Sequence, residues 1–203
     1  MPPRALTVTI ATTLALSTFA PRSGSAQSAQ KWSVQGSGLA VIPKGTAYDG
    51  TSTGFGAEAQ VRYTPSAFSI GVGFQASRHS LDVGGGQSEN LLLSGGFVEP
   101  RYVVDIHSST AAPYVSARLA VLTQSLTVNQ YDLSSTGTQL NAGGGVLVRM
   151  TPRVNLDFGL TFGSIHFEDV KVKSGTQTVT VAGSSGNGTN VVLRVGAAVG
   201  FGK

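Results

Sequence analysis

The sequence predicts an all-β protein: an eight-stranded antiparallel up-and-down transmembrane β-barrel behind a cleaved signal peptide. Three observations predict it. After residue 30 the chain falls into eight segments in which apolar residues alternate with small or polar ones, the period of a strand with one apolar face. Six of the apolar runs are 9 residues long (Phe55–Tyr63, Phe68–Ala76, Val154–Phe162) or 11 (Pro113–Thr123, Leu140–Met150, Val191–Phe201). A tilted strand needs about 9–11 residues to cross the hydrocarbon of a bilayer. Finally, charged residues make up only 12% of the chain while glycine numbers 27, and a soluble domain carries roughly twice that charged fraction.

The N-terminus reads as an export signal. Met1-Pro-Pro-Arg4 is a short basic start, Ala5 to Ala20 is an apolar stretch of 16 residues, and Gly24-Ser25-Ala26 supplies small residues for cleavage. The expected organisation is a signal peptide at 1–26, a short segment at 27–30 and a barrel over 31–203. The stretch is too short to span a membrane comfortably, and no later run reaches the ~18 residues of a spanning helix. There is no cysteine, so an exported chain of this kind cannot rely on a disulfide framework. The net charge is +4, of which Arg4 and Arg22 belong to the signal. What remains is too weak to argue for nucleic acid.

The strands follow in order. The first, Lys31 to Ile42, places Trp32, Val34, Gly36, Gly38, Ala40 and Ile42 in one phase. The second sets Phe55, Ala57, Ala59, Val61 and Tyr63 against Gly54, Gly56, Glu58, Gln60 and Arg62. The turn Thr64-Pro65-Ser66 leads to the third, with Phe68, Ile70, Val72, Phe74 and Ala76 outward. A Gly-rich loop is expected over Val83 to Glu89. The fourth, Asn90 to Val104, faces outward with Leu92, Val98, Pro100, Tyr102 and Val104, because the other phase holds Glu99 and Arg101. After a turn at Asp105 to Ala112, the fifth carries Arg118 inward. A loop is expected over Thr127 to Thr138. The sixth carries Arg149 inward, the turn Thr151-Pro152-Arg153 follows, and the seventh carries Asp157 inward. A polar loop over Asp169 to Thr189 leads to the eighth strand, whose outward face is Val191, Leu193, Val195, Ala197, Val199 and Phe201.

Connections after the even strands are short and those after the odd strands long, the outer-membrane pattern of tight periplasmic turns and larger external loops. Both termini are then periplasmic. Trp32, Tyr63, Phe68, Tyr102 and Phe201 all fall outward at that end, where an aromatic girdle belongs. Eight strands leave a lumen that side chains fill. The ions expected there are Glu58, Arg62, Glu99, Arg101, Arg118, Arg149, Asp157 and Arg194. Buried ions must pair, so a network of salt bridges stiffening the barrel is expected, with a narrow pore for small solutes as the alternative.

The chain's ending, Arg194, Gly196, Val199 and Phe201, resembles the C-terminal signal that barrel assembly machinery reads. With the export signal and the eight alternating segments, residues 31–203 resemble the OmpA-type family of small outer-membrane β-barrels. That resemblance implies the outer membrane of a Gram-negative-type bacterium, contact with lipid and lipopolysaccharide, insertion by the assembly machinery and a structural or interaction role. A monomer is expected. Two departures stand out: no peptidoglycan-binding domain is expected after the barrel, and Gly202-Lys203 follow the last aromatic.

No enzymatic activity is expected. Ser164, His166 and Glu168 are spaced by two at the outer end of the seventh strand and are weak candidates for a catalytic set of the lipid-deacylase kind. Neighbours on one strand face stand ~7 Å apart, too far for direct hydrogen bonding. No metal spacing, phosphate-binding loop or cofactor motif is present, and none is expected to bind. A secreted lipocalin-like binder is disfavoured, because its exterior would be mostly glycine with scattered Arg and Glu.

Overall fold

The computed structural model describes residues 30–45, 48–84, 87–128, 131–175 and 177–202. The signal peptide expected at 1–26 lies outside them. Ten strands form: β1 (Trp32–Lys44), β2 (Gly54–Tyr63), β3 (Phe68–Gly84), β4 (Gln87–Val103), β5 (Ala111–Val128), β6 (Tyr131–Arg149), β7 (Val154–Phe167), β8 (Val170–Ser174), β9 (Gln177–Val181) and β10 (Gly186–Phe201). Each of β1 to β6 pairs antiparallel with the next, β7 pairs with β10, and β10 returns to β1. The result is a closed eight-stranded barrel, with β8 and β9 as a hairpin outside the ring. Closure removes every open sheet edge from the ring.

The seam between first and last strands runs from Trp32 opposite Phe201 to Lys44 opposite Thr189. It continues one residue past the last aromatic, where the Lys31 amide donates to the Gly202 carbonyl at 3.3 Å. Gly202 has φ +75°, a conformation that costs glycine little and other residues more. One of the two residues after Phe201 thus takes part in closing the ring.

Alternation divides the side chains as the sequence predicts. Outward stand Phe55, Val72, Phe74, Val121, Leu140, Phe162 and Val195, each more than half exposed. Inward stand Gln35, Gln60, Glu99, Asn141 and Asp157, all buried. An apolar belt around a polar filling is the reverse of a soluble protein.

The outer connections differ from expectation. The segments read as loops at Val83 to Glu89 and Thr127 to Thr138 are mostly strand, since β3 and β4 pair out to Gly84 and Gln87, and β5 and β6 out to Val128 and Tyr131. The long polar loop contains the β8–β9 hairpin, which pairs with the outer end of β6. Hydropathy alternation fades there because both faces are polar, yet Ser and Thr keep the ladder, and threonine suits a strand.

Candidate functional site

The barrel's interior is built in three zones. The middle zone is ionic. Glu99 on β4 is fully buried and takes ion pairs from four arginines. Nη2 of Arg62 and Nη2 of Arg101 donate to its Oε1, each at 2.8 Å, while Arg118 Nε at 2.9 Å and Arg194 Nη1 at 2.8 Å donate to its Oε2. Glu58 accepts from Arg118 at 2.6 Å and Arg194 at 3.3 Å. Asp157 accepts from Arg101 at 3.0 Å, Gln35 at 2.7 Å and the Tyr114 hydroxyl at 2.6 Å. The Tyr114 oxygen in turn accepts from Arg194 at 2.9 Å.

Charge-assisted, multiply bonded pairs of this kind are the strong ones. They also answer the desolvation penalty that isolated buried ions would carry. Two guanidinium groups stack as well: Arg101 lies 3.9 Å from the centre of the Tyr114 ring, and Arg118 lies 3.9 Å from that of Phe97.

Glycine makes room for these long side chains. A Cβ on Gly159 of β7 would stand 2.8 Å from the Tyr114 hydroxyl and 3.1 Å from Arg194 Nε. The inward glycines opposite the arginines therefore set the space in which the cluster assembles.

The outer zone is apolar. Leu93, Phe97, Ala120, Leu122, Ile165 and Phe167 pack together above the ions, joined by Tyr48 from the β1–β2 connection. Tyr48 meets Phe167 edge-on, with ring centres 6.1 Å apart, and burial raises its hydroxyl pKa. The same connection is strapped to β3. Ser52 N donates to Ser80 O at 2.8 Å, Asp82 N to Gly50 O at 2.9 Å, and Ser80 N to Ser52 Oγ at 3.1 Å. His79 faces the interior and is buried. Its Nδ1 lies 3.0 Å from Ser52 O and its Nε2 3.1 Å from Ser77 Oγ.

The third zone, at the end with the short turns, is a small recess lined by Ser33, Gln35, Arg62, Thr64, Ser69, Arg101 and Asn155 among others. It ends against the ionic zone.

Seven of the eight inward ions singled out in the sequence lie in the cluster. The eighth, Arg149, is half-buried at the end of β6, across from Asn155. Tyr114, Gln35 and Gln75 complete the cluster and were not singled out. All three lie in the inward phase of their strands, which is the signal that could have found them.

The aromatics Trp32, Phe68, Tyr102 and Phe201 are exposed outward and Tyr63 is half-buried. Phe201 sits opposite Trp32, Trp32 opposite Tyr63, and Phe68 opposite Tyr102. Of the C-terminal set, Arg194 and Gly196 lie in the inward phase, while Val199 and Phe201 are exposed outward.

Ser164 and His166 lie at the outer end of β7 and Glu168 just past it, and all three are exposed. The structure does not bring them together: His166 Nδ1 lies 2.8 Å from Asn187 Oδ1 on β10. Glu168 offers its backbone, whose carbonyl accepts from Ser135 and whose amide donates to Thr136 O. Among the described residues no group of His, Asp or Glu is placed to hold a metal ion.

No protein-family model matches this sequence, and no curated protein matches it. Solved structures do match in shape. Neisserial surface protein A is 22% identical with a TM-score of 0.65, the match covering 84% of this chain and 97% of that one. The outer-membrane protein OprG from Pseudomonas aeruginosa is 9% identical with a TM-score of 0.57, over 87% of this chain and 98% of that one. A major outer membrane protein from Thermus thermophilus is 16% identical with a TM-score of 0.51, over 84% of this chain and 99% of that one. The fold is that of small outer-membrane β-barrels.

Proposed function

We propose that this chain is an integral outer-membrane barrel with a structural or interaction role, that its lumen is sealed, and that its projecting outer hairpins carry any specificity. The observation that carries the reading is the double closure of the lumen. A seven-ion cluster fills the middle, and an apolar layer with Tyr48 fills the zone above it. A conducting path would have to break a fully buried ion network and displace an aromatic plug.

The outward belt supports the membrane location. Water is absent from the hydrocarbon, so strands cross it only in a closed ring. Exposed aromatics at one end suit the interface. At the other end Arg78 is exposed on the outward face beside Phe55, where a long basic side chain can reach lipid phosphates, including those of lipopolysaccharide. The Arg194, Gly196, Val199 and Phe201 ending supports recognition by the barrel assembly machinery, and the chain is proposed to work as a monomer.

Planar-bilayer recording of the refolded protein tests the sealed lumen. The expected record is a quiet bilayer at protein loads where a reference porin conducts. Stepwise, reproducible conductance would favour the narrow pore instead.

A further inference from the structure

We propose that the lumen recess at the short-turn end binds one small monovalent anion, of the size of chloride or formate, against Arg62 and Arg101. Charge balance is the first argument. The cluster holds four arginines, Arg62, Arg101, Arg118 and Arg194, and three acids. One positive charge is therefore left over in a place where unpaired charge is strongly disfavoured.

Geometry places that charge. The acids pair with Nη2 of Arg62 and of Arg101, and no Asp or Glu lines the recess. The Nε atoms of Arg62 and Arg101 are buried and have no hydrogen-bond partner among the described residues. Both side chains are at least nine-tenths buried, with 5% and 1% exposed. Such donors in native proteins call for a partner.

The recess offers room for one. Its volume is about 40 Å3, against the ~10–15 Å3 that one water needs. Hydroxyl groups of Ser33, Thr64 and Ser69 line the same wall. Ser69 Oγ already accepts from Arg62 Nη1 at 3.1 Å, which leaves its hydroxyl proton to donate. Gln35 and Asn155 add neutral amides to the wall, so its only charged groups are the two guanidinium groups; with no carboxylate beside them they select an anion, and the volume selects a small one.

Two measurements on the full barrel in detergent test this. Crystals soaked in bromide should show an anomalous peak in the recess within hydrogen-bonding distance of Arg62 or Arg101. The urea midpoint of the wild type should rise in chloride over gluconate at matched ionic strength and then saturate, as expected for one site that binds the folded state. Arg62→Gln, which balances three arginines with three acids, should lose that chloride response, and Arg62→Lys should keep part of it. An empty recess in the bromide map overturns the proposal, and so does an Arg62→Gln variant with an undiminished chloride response. If Arg62→Gln does not fold, the bromide map of the wild type decides alone.

Discussion

Glu99 shows how much a single residue carries. It is fully buried and its two oxygens serve four arginines. Removing one partner of a buried ion network leaves the other charges uncompensated, at about 3–5 kcal/mol. Glu99→Ala is therefore expected to lower the stability of the folded barrel by that amount, read as a drop in the urea midpoint. A shift no larger than that of an outward control such as Thr123→Ala would contradict the assignment.

Gly159→Ala tests the space beside the cluster. The new methyl would crowd the Tyr114 hydroxyl and Arg194, and overpacking costs roughly 1–3 kcal/mol. The same urea titration reads it, and an unchanged midpoint would show that the cluster has slack. Period two was enough to assign Glu99, Arg101 and Asp157 to the inward face. It could not tell which ion meets which, because Arg118 and Glu58 come from strands that are not neighbours in the ring. Neutral partners such as Tyr114 and Gln35 carry no charge to draw notice in a sequence.

Elements reach further than their hydropathy suggests. β5 has 18 residues and β6 has 19, well beyond the ~9–11 that cross a bilayer. Their outer halves keep pairing where the residues on both faces turn polar, so the sequence reads as loop what the structure builds as strand. The β1–β2 connection was illegible for another reason. Nothing in the local pattern around Tyr48 announces that it folds back onto Phe167 of β7, which lies far along the chain.

That strap has a testable role. Tyr48→Ala should remove its anchor and leave the ring intact. Hydrogen exchange should then speed up at the amides of Thr51 and Ser52, and at Ser80 and Asp82 of β3, which bond to the strap, with no change near Glu99. Gly188→Val should act alike, since a side chain there would take the place of the Tyr48 ring. Uniform loss of protection across the barrel, or none at the strap, would contradict this picture.

At the scale of the whole molecule the fold class was legible from strand period and run length. Ring closure follows from the same facts, because strands with an apolar outward face and polar backbone have no other way to cross lipid. The closed barrel is proposed to fold in the outer membrane. Heat-modifiable gel mobility of the outer-membrane fraction tests it most directly. Unboiled samples should show a fast-migrating band that shifts to the mobility of the unfolded chain on boiling. A single band unmoved by boiling, with the protein recovered in the soluble fraction, would contradict it.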